Sequence, residues 1–311
     1  MDAQSVEENR VFAEKFDRVC QERIAARAHE VDREGALPTG IIRDLSEAGY
    51  FKLFHPKSLG GVEADTAMLC AAMESLGKAC PSTYWVATVS SLLVGKILHK
   101  MGNAEQHQRF LLPIIRAERI GAFAAVETGP GGDQSSYQTT ISKSGNNFVL
   151  NGFKSRVNNA PVADTCVIVA RNLPGEGEPG DRHLRFVFVD LRQKGVKRFH
   201  IPTLGMRGSP WGGMFLDNVV VTPGDILAGD FETVLDVAEW GQVFVSFMAI
   251  GVAESALDAA LEFTGSRANF GQPAGHMQAV HRMIATIRMD INAARALAVR
   301  AVWAKMHKQP A

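Results

Sequence analysis

The apolar residues of this 311-residue chain change their repeat twice, from 3.6 positions to two and back to 3.6. A chain patterned in this way must build helices, then a sheet, then helices again. From Val6 to about Arg116 the helical spacing is carried by Phe12, Phe16 and Val19, by Ile41, Ile42 and Leu45, and by Leu69, Met73 and Leu76. Pro38-Thr39 and Pro81-Ser82-Thr83 are helix-start chemistry. From about Ile120 to Leu227 the runs 165–170, 184–189 and 214–221 are β-branched and aromatic, with Gly145-Asn146, Asn151-Gly152 and the Pro/Gly-rich stretch 173–180 as the turns between them. Beyond Gly229 two helices of about 30 residues each are expected, one through Trp240, Phe244, Phe247 and Gly251, the other through Val280, Ile284, Ile287, Ile291 and Leu297. The expected organisation is an N-terminal helical domain over residues 1–117, a central β-domain over 118–228 and a C-terminal helical domain over 229–311.

Composition narrows the function classes. Lys and Arg number 33 and Asp and Glu number 33, so a binder of nucleic acid driven by charge is excluded. The longest apolar stretches, such as Val243 to Ala253, are shorter than the ~20 residues of a membrane span, and no such span is expected. The acidic start, without a leader pattern, reads as cytoplasmic. Cys20, Cys70, Cys80 and Cys166 have no metal-ligand spacing and the nine histidines form no HExxH cluster, so no metal centre is expected. Cys70 and Cys80 read as small buried hydrophobes.

Five local sequences, in one order, carry a resemblance. They are Gly60-Gly61 after Phe54-His55-Pro56, residues 123–133 (FAAVETGPGGD), Asn151-Gly152-Phe153-Lys154 followed by Asn158-Asn159-Ala160, residues 205–209 (GMRGS) and residues 267–271 (RANFG). Together with the domain order they resemble the acyl-CoA dehydrogenase superfamily over nearly the whole chain. The resemblance implies an α+β multidomain fold: helical domain, β-domain, and a four-helix bundle of which this chain holds part. It implies flavin adenine dinucleotide (FAD) as cofactor and α,β-dehydrogenation of an acyl thioester carried by coenzyme A or a carrier protein. It also implies a homodimer or homotetramer, and it leaves the electron acceptor open.

The family's site residues carry over position by position. Phe123, Ala125 and Val126, with Gly131 and Gly132, are implied to line the flavin, where glycine lets backbone approach a cofactor; a tight turn between strands is the other reading of residues 129–132. Arg156-Val157-Asn158 stands where the family has Trp-Ile-Thr against the flavin, so a guanidinium that can still stack on the ring replaces an indole, and Asn158 can still donate to a ring nitrogen. Val126 and Gly132 replace a Thr and a Ser. Arg267, Phe270 and Gln278 are implied to reach the adenosine and pyrophosphate side of a neighbouring subunit's FAD. Gly132 and Gln242 are implied to face the substrate.

The base that takes the α-proton is the main departure. Most of the family carry it as a Glu further along than Ala311, so the expectation is that this chain is a fragment lacking that Glu and the last two bundle helices. A minority carry it on the earlier helix, where this sequence has Gly241 and Gln242. Glu239 is the nearby carboxylate; two residues along a helix is ~200° around its axis, and its own reading is a solvated first-turn residue. Two other functions stay open. A flavin monooxygenase on the same fold is suggested by residues 80–86 (CPSTYWV), and a non-catalytic paralogue or fragment by the missing base.

Overall fold

The computed structural model describes residues 3–129, 133, 136–173, 184–269 and 271–309. The first third is helical as its periodicity predicts: α1 (Ala3–Val19), α2 (Ala28–Glu34), α3 (Ile41–Glu47), α4 (Thr66–Ala79), α5 (Pro81–Thr88), α6 (Gly95–Met101), α7 (Ala104–Gln106) and α8 (Leu112–Ile115). The starts follow side-chain chemistry. Asp65 caps α4 by accepting from the Met68 N–H at 2.9 Å, α5 opens on Pro81, and Asn103 with Gln106 forms a reciprocal capping box at α7. Wide π turns at Cys20–Ile24, Val89–Val94 and His107–Leu111 interrupt the helical run, a local unwinding that a 3.6-residue repeat does not reveal.

The sheet contains β1 (Gly121–Ala124), β2 (Thr140–Ser144), β3 (Asn147–Asn158), β4 (Thr165–Asn172), β5 (Leu184–Asp190), β6 (Val196–Ile201), β7 (Trp211–Val221) and β8 (Ile226–Leu227). The strands run in the order β6-β7-β3-β2-β4-β5-β8, with β1 pairing parallel to β4. Gly145-Asn146 closes the β2–β3 hairpin as a two-residue turn. Asn151-Gly152, expected as a turn, instead lies inside β3, where the register with β7 slips. Gly152 has φ +154°, and a Cβ there would sit 2.5 Å from Thr139 Oγ1, so the Gly serves a bulge and a close approach instead of a chain reversal. Of the expected turn at 173–180, only Leu173 is described.

The chain divides into two contact units. Residues 29–64 and 85–239 form one, which contains the sheet; residues 1–28, 65–84 and 240–311 form the other. In the sheet unit, β4 is buried on both faces. Cys166, Ile168 and Ala170 point into a core with Ala122, Leu150, Val187 and Met214, while Val167 and Val169 pack with Val94, Leu98, Phe110 and Ile114 from the helices. Two covered faces are why residues 165–170 read as an unbroken apolar run without polar alternation.

The last third holds α9 (Phe231–Ser266), a short hairpin of β9 (Ala268–Asn269) and β10 (Gln272–Pro273), and α10 (Gln278–Met306). α9 runs for 36 residues and is long and apolar enough to cross a bilayer by length and composition, a test that the core helix of a soluble protein also passes. In the second unit α4 and α9 meet through glycine. A Cβ on Gly251 would lie 2.2 Å from the Glu74 carbonyl oxygen, and one on Gly77 would lie 2.5 Å from that of Met248. Gly251→Val therefore forces two backbones apart and is expected to lower unfolding stability by about 1–3 kcal/mol, read from urea denaturation, whereas Gly241→Ala, where a Cβ meets open space, is expected to be neutral or mildly stabilising. Equal midpoints for the wild type and Gly251→Val would show that the helices do not touch there.

Candidate functional site

The residues with chemistry in the sheet unit collect where β3 slips register a second time against β7, between Lys154 and Val157. At this bulge Arg156 adopts φ 51°, in the left-handed region that a non-glycine residue occupies at a cost of about 1–3 kcal/mol. The bulge turns the Arg156 side chain outward, while Lys154, Ser155, Val157 and Asn158 on either side remain buried.

Lys154 fastens this bulge to the segment that follows β1. Its ammonium is 0% exposed, donates to Glu127 Oε1 at 2.7 Å and to the Ala125 carbonyl oxygen at 2.9 Å, and lies 4.6 Å from the centre of the Tyr137 ring. Glu127, 4% exposed, also accepts from the Gln138 and Thr139 N–H groups. Burial pushes the Glu127 carboxyl up, but the hydrogen bonds from Lys154, Gln138 and Thr139 outweigh it and hold it below the ordinary carboxylate value. Burial depresses the Lys154 ammonium against the pull of Glu127 in the other direction. The Ser155 N–H to Val126 carbonyl bond, 2.9 Å, completes the attachment. The structure thus brings Ala125 and Val126, at the end of β1, against the bulge that carries Arg156 and Asn158. Phe123 is in β1 itself, opposite Val167 of β4.

Asn158 and Asn159 end the same strand. Asn158 Nδ2 donates to Ser209 Oγ at 2.7 Å, while its Oδ1 is buried with no partner in the structure. Asn159, at φ 67°, donates from Nδ2 to the Val86 and Gly121 carbonyl oxygens at 3.0 Å each, and its Oδ1 is likewise buried and unpartnered. Ser209, Asn159 and the Glu127–Lys154 pair were not picked out as functional from sequence. Their only signal was membership of the motifs at 123–133, 151–160 and 205–209, because the contacts themselves span 27 residues for Lys154–Glu127 and 51 for Asn158–Ser209.

The remaining candidates are distributed elsewhere. Arg267 follows α9 directly, exposed, with its guanidinium 5.6 Å from the Phe263 ring centre and its carbonyl accepting from the Ala274 N–H at 2.8 Å, which closes the hairpin. Gln278 is the exposed first residue of α10. Gln242 is exposed on α9. Glu239 is also exposed but lies in the third turn of α9, not the first, because the helix begins at Phe231. Gly131, Gly132 and Phe270 lie outside the described residues. Among the described residues no cluster of His, Cys, Asp or Glu is arranged to hold a metal ion. Cys20, Cys80 and Cys166 are buried thiols and Cys70 is half-buried, less covered than its sequence suggested.

Residues 6–118 match the acyl-CoA dehydrogenase N-terminal domain, 122–219 the middle domain and 231–311 the C-terminal domain. The chain is 32% identical over 300 residues to the cyclohexane-1-carbonyl-CoA dehydrogenase of Geobacter metallireducens, covering 95% of this chain and 78% of that protein. It is 31% identical over 318 residues to the benzylmalonyl-CoA dehydrogenase of Aromatoleum aromaticum, covering 100% and 82%. The butyryl-CoA dehydrogenase structure from Megasphaera elsdenii superimposes with a TM-score of 0.88 at 23% identity, covering 97% of this chain and 80% of that one, and shares the fold.

FAD is the cofactor of this family, and the residues present fit it. Asn158, expected to donate to a ring nitrogen, instead donates to Ser209 Oγ with its Oδ1 buried, so the fit at this end of β3 rests on Arg156, an outward cation at the bulge. Arg267 presents an exposed guanidinium suited to a pyrophosphate. With all three domains matched, the chain belongs to the acyl-CoA dehydrogenase family, the flavin-dependent oxidoreductases that dehydrogenate acyl thioesters.

Proposed function

We propose that the protein binds FAD along the bulged end of β3 and oxidises a coenzyme A thioester between its α and β carbons. The observation that carries this reading is the buried Lys154–Glu127 bond, which fixes the 125–127 backbone against the strand bearing Arg156 and Asn158. FAD, when bound, supplies the acceptor for the β-hydride. The residues of the chain orient it: Phe123, Ala125 and Val126 line one side, Arg156 stands outward at the bulge, and Arg267 with Gln278 serves the pyrophosphate and adenosine side of a neighbouring protomer's cofactor. The motif glycines 131 and 132 and Phe270 belong to the same proposal, with Gly132 and Gln242 toward the substrate.

A coenzyme A carrier is supported by the two relatives named above, whose substrates are coenzyme A thioesters. A homodimer or homotetramer is supported by the apolar side chains that α10 leaves exposed, among them Met283, Met289, Leu297 and Trp303. Four unpaired thiols accord with a reducing, cytoplasmic setting.

The test is FAD uptake followed by anaerobic bleaching with short, branched and aromatic acyl-CoA thioesters. The wild type is expected to take up one FAD per chain, and Arg267→Ala to weaken uptake by about 1.5–3 kcal/mol, the range for a hydrogen bond to a charged group. Folded protein that stays colourless in excess FAD would refute the proposal.

A further inference from the structure

The geometry points to a second binding site, a cleft at the far end of β1 from the flavin motif, which takes a small oxyanion, the phosphate or carboxylate group of a metabolite, on the guanidinium of Arg119 beside that of Arg109. The cleft has a volume of about 260 Å³, and its lining includes Arg109, Phe110, Arg119, Phe188, Asp190 and Asp225, all within the sheet unit. Ligand pockets begin at ~300 Å³, so the occupant is small. Position separates the cleft from the cofactor reading. Arg119 lies just before β1 and Asp190 pairs with Thr165 at the start of β4, whereas residues 125–133 follow the other end of β1. The inference therefore stands whether or not FAD binds.

The walls are held by contacts of their own. The Phe110 and Phe188 rings stack with centres 3.6 Å apart, and both residues are buried. Asp225 accepts from the Thr222 N–H and hydroxyl at 2.8 Å each and pairs with Arg109 Nη1 at 2.9 Å. Side chains fixed in this way cannot swing in to fill the space, and the cleft persists without a ligand.

The charged groups around it are unevenly used. Asp190 is claimed from outside the cleft by Arg192, whose Nε and Nη2 reach the two carboxylate oxygens at 3.0 and 2.7 Å and whose N–H adds a bond at 3.0 Å. Arg119 is left with an ion pair to Asp190 Oδ2 of 3.7 Å, too long for a hydrogen bond. With Asp190 neutralised by Arg192 and Asp225 by Arg109, Arg119 is the lining charge without a close counter-ion among the described residues, which favours an anion over a cation. Its side chain is one-third exposed, and a planar fork of donors matches two oxygens of a phosphate or carboxylate at once.

The test titrates inorganic phosphate and, separately, succinate into the 311-residue chain in excess FAD at constant ionic strength, with dissociation constants from calorimetry and melting curves to establish folding. The wild type is expected to bind at least one of the two; tighter phosphate identifies a phosphate-bearing ligand, tighter succinate a carboxylate-bearing one, and either supports the site. Arg119→Lys, which keeps the charge but loses the fork, is expected to weaken the tighter anion about tenfold. Asp190→Asn, which removes the carboxylate nearest Arg119, is expected to tighten it about threefold. Arg267→Ala, at the pyrophosphate side of the FAD reading, is expected to leave it unchanged. Binding of neither anion, an unchanged affinity in Arg119→Lys, an Asp190→Asn variant that binds no tighter, or a loss caused by Arg267→Ala would overturn the inference. A wild type that takes up no FAD refutes the FAD reading, a separate outcome.

Discussion

Lys154→Met lowers the stability of the protein by about 3–5 kcal/mol, because it strands the Glu127 carboxylate among buried atoms with only the Gln138 and Thr139 N–H groups to hold it. The chain then protonates Glu127 or loosens the segment after β1, and FAD affinity falls with it. The measurement is urea unfolding of apo-protein, with the Lys154→Met/Glu127→Gln double variant completing a cycle. Removing the charge on both sides is expected to recover part of the loss, since an apolar or neutral pair in a dry site is less costly than one stranded charge. A single variant as stable as the wild type would mean the pair contributes nothing. The pH dependence has a definite sign. The Glu127 carboxyl is lowered in the folded state, so its contribution is complete above the unfolded value near 4.5 and is lost as pH falls through the folded value. The wild type is therefore expected to lose more stability than the double variant as pH falls from 5 into the acid range.

Gly241→Glu, loaded with FAD, is expected to raise the rate of anaerobic flavin bleaching by an acyl-CoA by up to ~10²–10⁴, the worth of a positioned general base, if Gly241 holds the position at which a minority of the family carry that base. The site can take the side chain: Gly241 lies in the continuous helix α9 and a Cβ there meets open space. Glu239 cannot substitute, since two residues along an α-helix place it ~200° around the axis, so Glu239→Gln is expected to change neither rate nor KM. Bleaching by the unaltered polypeptide as fast as by the variant would show that another group removes the α-proton.

Periodicity alone was enough for the two long helices and for the strands around 165–170, 184–189 and 214–221, because an apolar repeat is a local property that survives in any fold burying one face of it. The same locality explains what was missed. Asn151-Gly152 has the composition of a turn, and only the β3–β7 register and the nearness of Thr139 make it a bulge. Length and apolarity of α9 likewise follow from sequence, whereas the glycine contact with α4 needs both helices in place. The family motifs drew attention to 123–133, 151–160 and 205–209. Which atoms meet was decided by tertiary structure: Lys154 reaches Glu127 across 27 residues and Asn158 reaches Ser209 across 51, once strand pairing has excluded water from both. Burial is what makes these contacts matter, since an ion pair or an orphaned amide oxygen is worth little in water and several times more where no solvent can replace the missing partner.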